Sequence, residues 1–165
     1  MAVDQPKEPL TVTFVCKGQA VGKMRNELDV TMTEPMVERF TLASDEGPFH
    51  GGDATAPPPL ALFVGGLTGC IMTQLRAFAK RMDVEITDLR VETTVRWGWE
   101  PKGRIYETHP KSFDIDVFLE SPSALEDQIG LIQAARKGCF VEQTLGRANT
   151  ISHRIRTPSG FARVE

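Results

Sequence analysis

A chain of 165 residues with 41% apolar and 25% charged residues has the composition of a soluble domain large enough to bury a core. A net charge of −3 argues against general nucleic-acid binding, which needs clustered Lys and Arg. No apolar run approaches the roughly 20 residues of a membrane span, and residues 1–9 are polar without a signal-peptide core. The expected location is therefore the cytoplasm, where thiols stay reduced, with neither membrane nor nucleic acid as partner.

Residues 1–9 carry Pro6 and Pro9 among charges and are expected to form a loose leader. Residues 10–17, Leu-Thr-Val-Thr-Phe-Val-Cys-Lys, are rich in β-branched side chains and read as a strand with Cys16 half-buried near its end. Gly18 and Gly22 bracket a turn. Residues 25–33 set Leu28, Val30 and Met32 against polar neighbours, a second strand, and residues 37–42 give a third after Pro35. Together they predict an antiparallel meander with one buried face.

Residues 45–59 hold Gly47, Pro48, Gly51, Gly52, Pro57, Pro58 and Pro59, so a surface loop is expected there rather than a regular element. Proline is tolerated in a first helical turn, where its missing N–H has no partner to lose, so a helix starts at Pro58 or Pro59. From there Leu60, Phe63, Val64, Leu67, Ile71, Leu75, Phe78 and Met82 recur at helical spacing. Gly65, Gly66 and Gly69 each cost about 1 kcal/mol relative to Ala within a helix, which points to another backbone packed closely around Cys70. Arg76, Lys80 and Arg81 suit the helix C-terminus.

Residues 89–98 alternate as a strand ending at Trp97-Gly98-Trp99, where the two tryptophans form either an aromatic wall or a hairpin tip. Pro101-Lys102-Gly103 turns the chain. The return begins at residues 104–106, is interrupted at His109-Pro110, and resumes as a clear strand over residues 111–120. Ser123, with Glu126 three residues on, forms a capping box for a second helix over residues 124–138. Leu125, Ile129, Ile132 and Ala135 share its apolar face, and a further seven residues from Ile132 bring Cys139 onto that face. Residues 140–145 add a short helical turn, residues 151–156 a closing strand, and residues 158–165 a tail. The order is that of an α+β chain with segregated antiparallel pairs, expected as one domain over residues 1–165.

Three cysteines are too few for a disulfide framework, and with His50, His109 and His153 they show no metal-ligand spacing, so no cofactor or metal is expected. Gly51-Gly52 lacks the Gly-Lys-Ser/Thr ending of a phosphate loop, and Gly65-Gly66-Leu67-Thr68-Gly69 lies inside a helical pattern rather than after a strand. No Gly-x-Ser-x-Gly elbow is present. Cys70 and Cys139 on two apolar helical faces have two readings. They are small buried hydrophobes, or they are a redox pair in which one thiol is oxidised by peroxide and the other condenses with the sulfenic acid. The redox reading requires a thiolate, and so a cation or a helix N-terminus beside it.

Gly51-Gly52, Pro59-x-x-Leu62 and Leu67-Thr68-Gly69-Cys70 resemble the first cysteine motif of the OsmC/Ohr family. Residues 134–145, with Gly138-Cys139-Phe140-Val141-Glu142 at their centre, are similar to the second. The element order agrees over residues 10–157. This resemblance implies an intertwined homodimer with its two long helices packed centrally, and an oxidoreductase of the oxidative stress response. In that role it would reduce organic hydroperoxides, and possibly hydrogen peroxide, through Cys70 as peroxidatic thiol and Cys139 as resolving thiol. A dithiol or lipoylated protein would be the reductant. The resemblance also implies an activating arginine from the N-terminal sheet, for which Arg39 is the best positional match and Arg25 the reserve. Two positions depart from the pattern. The family has a glutamate directly after the helix-starting proline, where Leu60 follows Pro59 here, and a proline after the second cysteine, where this chain has Phe140. Asp53 or another loop carboxylate is a candidate replacement for the glutamate. These departures resemble the OsmC-like branch and leave an alternative, a slow or non-catalytic dimer that binds a small molecule or senses redox state.

Overall fold

A computed structural model describes residues 8–164, so the expected leader lies almost wholly outside the described residues. The chain forms two compact units, Met1–Gly65 and Gly66–Glu165.

In the first unit, period-two alternation produces β1 (Thr13–Ala20), β2 (Asn26–Glu34) and β3 (Glu38–Ser44), an antiparallel sheet in the order β1-β2-β3. β1 continues through Gly18, which pairs with Leu28, so the turn lies beyond Ala20 rather than at Gly18. The meander is as expected, but its apolar residues Phe14, Val15, Phe40 and Leu42 are exposed, and so is Cys16. The Gly- and Pro-rich segment that follows holds only a single 3-10 turn, Pro48–His50. Helix α1 (Pro59–Met82) then starts at Pro59, where the missing proline N–H costs no hydrogen bond.

The second unit contains α1 from Gly66 onward, then β4 (Asp88–Lys102), β5 (Ile105–Glu120), α2 (Leu125–Gly138), α3 (Phe140–Leu145), β6 (His153–Thr157) and β7 (Gly160–Val164). β4 and β5 form one long antiparallel ribbon. Neither Trp99 nor Pro110 ends its strand. The ladder carries Trp97 opposite Pro110 and Arg96 opposite Ser112, so Lys111 is the extra residue of a bulge. A proline is admitted at such a point because the ladder is already interrupted there. The turn falls at Gly103 and Arg104, with Gly103 in the left-handed region at φ 61°. Trp99 stacks on Tyr106 near this end, ring centroids 3.9 Å apart.

The core of this unit is built from Ile71, Leu75 and Ala79 of α1, Leu131 and Ala135 of α2, Val84 and Cys139. The inner face of the ribbon, Leu89, Val91, Ile115, Val117 and Leu119, packs against it. The buried line on α2 is thus Leu131, Ala135 and Cys139 at steps of four. Leu125 and Ile129, expected on that face, are exposed. The expected capping box is also absent. Ala124 is the N-cap and makes no side-chain cap bond, because the Ser123 hydroxyl instead accepts the Glu85 N–H at 3.2 Å. Within the segment expected as a tail, Gly160–Val164 form β7, which pairs with β6 as a hairpin.

By length and composition α1 is apolar enough to cross a membrane. Its Leu67, Ile71, Leu75 and Ala79 nonetheless form a single buried line at steps of four, the pattern of a helix packed on a protein core. Within the single chain, no second backbone packs against Gly65, Gly66 or Gly69. Apart from the neighbouring residues and the backbone of α1 itself, no described atom comes within 4 Å of the position a Cβ would take at any of the three. Close approach occurs at Gly138 instead, where a Cβ would lie 2.6 Å from Cζ of Phe78.

Candidate active site

Cys70 lies eleven residues into α1, about 16 Å from its first residue at 1.5 Å per residue, so the positive end of that helix is too distant to stabilise a Cys70 thiolate. Cys139 sits where α2 breaks into α3. Its backbone is extended (φ −76°, ψ 109°), and it is at once the C-cap of α2 and the N-cap of α3. The break turns its side chain into the core, where Cys139 is 0% exposed. Its Sγ accepts the Glu142 N–H at 3.5 Å, and its carbonyl accepts the Gln143 N–H at 2.9 Å. Phe140, where the family pattern has proline, is simply the first residue of α3 and is exposed.

The two helices bring the thiols together. Cys70, half-buried, packs against the cluster that contains the fully buried Cys139. Both are free thiols. Burial pushes the Cys139 thiol up to about 11, an effect that the Glu142 N–H opposes and that Cys70 and the Glu142 carboxylate reinforce. Cys139 therefore stays protonated at neutral pH and can donate its S–H.

Sequence reasoning missed the ion pair that flanks this break. Arg136, one turn before Cys139, places Nε 3.1 Å from Glu142 Oε1, one turn after it. Gln143 braces the same corner by donating to the Arg136 carbonyl at 2.9 Å. Glu142 Oε2 is buried and accepts no hydrogen bond from any described residue. The signal was present: Cys139-x-x-Glu142 has the N-cap to N3 spacing of a capping box. Beside it lies a cavity of about 230 Å³ walled by Ile71, Phe113, Ile115, Val117 and Ile132, with Arg136 and Glu142 as its polar members. A larger hollow of about 930 Å³ lies by Arg76, Lys80, Asp83 and Ser123, and neither cysteine lines either cavity.

The first unit holds both candidate arginines. Arg39, on β3, is paired with Asp29 Oδ2 at 3.0 Å, and its side chain is 73% exposed. Arg25, just before β2, is held at three points. Nε contacts Glu27 Oε1 at 2.8 Å, and Nη1 donates to the carbonyl and hydroxyl of Thr55 at 3.0 and 2.9 Å. Thr55 is fixed in turn by Asp45, which is 2% exposed and accepts the Thr55 N–H at 2.9 Å and its hydroxyl at 2.7 Å. These bonds, that from the Thr55 N–H first, hold the Asp45 carboxyl below the usual carboxylate range. Gly52 completes the loop, since a Cβ there would sit 1.9 Å from the Glu46 carbonyl oxygen. Asp53, considered as a stand-in for the family glutamate, binds Lys23 at 2.7 Å instead. Among the described residues no group of three or more His, Cys, Asp or Glu side chains is arranged to hold a metal ion.

Residues 51–154 match the family model described as OsmC-like protein. A crystal structure of an OsmC-like hydroperoxide resistance protein from Jannaschia sp. CCS1 is 60% identical, with 93% of this chain and 98% of that one covered and a TM-score of 0.65. More distant structures share the fold. An OsmC-like protein from Mycoplasma pneumoniae is 18% identical over 86% of this chain and 89% of its own, TM-score 0.56. An organic hydroperoxide resistance protein OsmC from Legionella pneumophila is 19% identical over 81% and 88%, TM-score 0.51. A search of curated proteins returned no match.

Proposed function

The chain belongs to the OsmC-like family, and from that premise we propose that it is a thiol-dependent peroxidase acting on organic hydroperoxides through Cys70 and Cys139. The observation that carries this reading is the packing of two free thiols into one core, the half-buried Cys70 of α1 against the cluster that holds the fully buried Cys139. The 60% identical neighbour named as a hydroperoxide resistance protein supports the substrate class.

The roles follow from the environments. Cys139 is fully buried and held protonated at neutral pH, so the nucleophile's role goes to Cys70, the more accessible of the two. The Cys70 thiolate attacks the terminal oxygen of the hydroperoxide, the O–O bond breaks, and the alkoxide leaves and is protonated to the alcohol. Cys70 is then a sulfenic acid. The Cys139 sulfur displaces its hydroxyl, which leaves as water with the Cys139 proton, and a Cys70–Cys139 disulfide forms. A dithiol or lipoylated protein supplies the two electrons that restore both thiols. The apolar core against which Cys70 packs favours a hydrocarbon-bearing peroxide over hydrogen peroxide.

Thiolate activation falls to an arginine, and Arg25 has the better support of the two candidates. Its anchors on Glu27 and Thr55 do not require a carboxylate at position 60, so Leu60 leaves this guanidinium firmly held. Arg39 remains the alternative, with a single exposed carboxylate partner. A cytoplasmic homodimer completes the proposal. Its support is the apolar surface that one chain leaves open, including Phe14, Leu60, Ile155 and Phe161.

The test is dithiol-dependent consumption of cumene hydroperoxide and hydrogen peroxide by the wild type, Cys70→Ser and Cys139→Ser. Loss of turnover in Cys70→Ser, with cumene hydroperoxide the better substrate of the wild type, is expected. Turnover that survives Cys70→Ser ends the proposal. A peroxide-induced disulfide without turnover would point instead to a redox sensor.

A further inference from the structure

The cavity of about 230 Å³ by Glu142 belongs to neither thiol, and its lining is almost all hydrocarbon. β5 supplies Phe113, Ile115 and Val117, which alternate along one face of the strand. Trp97 meets the Phe113 ring edge-on, with centroids 6.3 Å apart, and so braces that wall. α1 adds Ile71 and α2 adds Ile132. Arg136, one helical turn beyond Ile132, has a largely exposed side chain. Glu142 is more enclosed. Its Oε1 is bound to Arg136 Nε at 3.1 Å, whereas Oε2 is buried and accepts no hydrogen bond from any described residue.

A buried acceptor is costly to leave without a donor, so a ligand that fits brings one donor for Oε2 and hydrocarbon for the walls. Water meets only the first need, because an ordered water takes about two to four polar partners and this lining offers two polar residues. An ammonium would give up its hydration for a carboxylate whose charge Arg136 already balances. A ligand carboxylate would face Oε2 with like charge. We propose that this cavity is a binding site for a small hydrocarbon bearing one hydroxyl, an alcohol or a phenol, whose O–H donates to Glu142 Oε2. The volume lies below the roughly 300 Å³ at which drug-sized pockets begin, which limits the ligand to about one ring or a short chain. An alcohol is also what peroxide reduction releases, so on the peroxidase reading the site takes the product class. Binding itself does not depend on that reading.

The experiment adds benzyl alcohol, without peroxide, to the reduced full-length protein labelled with 13C at the isoleucine δ1 methyls. Saturable shifts are expected at Ile71, Ile115 and Ile132, with a dissociation constant of about a millimolar or tighter. Ile86, which lines the larger hollow, and Ile155 on β6 should not move. Benzylamine and benzoate, with the same ring and a charge, should bind about tenfold more weakly or worse. Glu142→Leu removes the acceptor. In it, the affinity of benzyl alcohol relative to ethylbenzene, which carries a methyl in place of the hydroxyl, should fall by about tenfold or more. No saturable shift at the three cavity methyls overturns the proposal, as do equal shifts at all isoleucines, which would mean adherence to the surface only. Equal binding of the charged analogues, or an unchanged ratio in Glu142→Leu, overturns the role of Oε2. The wild-type series decides the matter even where that variant does not fold. Peroxide turnover without these shifts would refute this site alone, and the shifts without turnover would refute only the peroxidase reading.

Discussion

Gly138→Ala is the sharpest test of how the second unit is packed. Gly138 is the last residue of α2 and immediately precedes Cys139. An added Cβ would lie 2.6 Å from Cζ and 2.8 Å from Cε2 of Phe78 on α1. Carbon atoms rest at about 3.5–4.0 Å, so the ring or the helix end must give by about 1 Å. Phe78 has limited freedom to do so, packed on the core below and with the Arg81 guanidinium 5.0 Å from its ring centroid. Such overpacking costs about 1–3 kcal/mol. Alanine recovers up to about 1 kcal/mol over glycine in a helix, and less at its last residue. The expected net loss is about 1 kcal/mol, a fall in melting temperature of about 2–4 °C for a chain of this size. Denaturant unfolding of Gly138→Ala, Phe78→Leu and the double variant measures it. Leucine is shorter than the ring, so the double variant should lose less than the sum of the single losses by at least about 0.5 kcal/mol. Gly138→Ala as stable as the wild type, or strictly additive losses, would refute the close approach of α1 and α2 beside the thiols.

Other expectations concern the loop, the arginines and pH. Gly52→Ala drives a Cβ against the Glu46 backbone carbonyl, which cannot rotate away. It should cost more than about 2 kcal/mol in urea unfolding, and a neutral effect would mean that the loop is not closed as described. Arg25→Met should lower peroxide consumption by about tenfold or more. Arg39→Met, which breaks one exposed ion pair, should leave it within about twofold, and the reverse result would return the activating role to Arg39. The raised Cys139 thiol, about 11 against an ordinary 9.0, adds stability that is complete below about pH 9 and lost as pH climbs to 11. Unfolding free energies measured over that range should fall less steeply in Cys139→Ser than in the wild type.

Much of the second unit was legible because its helices bury one face. The run from Leu67 through Ile71 to Leu75 has only one helical reading, and extending the period from Ile132 placed Cys139 in the core. Where signals competed, tertiary structure won. Pro110 looked like a strand end, but the bulge at Lys111 absorbs it. Ser123 had the spacing of a cap, but its hydroxyl is taken by a distant N–H. Residues 160–164 were too short to be read as a strand without their partner β6. The glycines of α1 show the limit of an energetic argument, since their cost within a helix says that something must compensate but not what. At the site, the two thiols stood out by their motifs. The choice between Arg25 and Arg39 did not, because it depends on Thr55 and Glu27, which no spacing links to a guanidinium.

The central claim is that Cys70 and Cys139 form one redox pair, and peptide mapping by mass spectrometry after one equivalent of cumene hydroperoxide tests it most directly. The account predicts near-quantitative Cys70–Cys139 disulfide in the wild type, and a trappable Cys70 sulfenic acid in Cys139→Ser. Cys70 and Cys139 both still reduced, with the peroxide unconsumed or Cys16 oxidised instead, would contradict it.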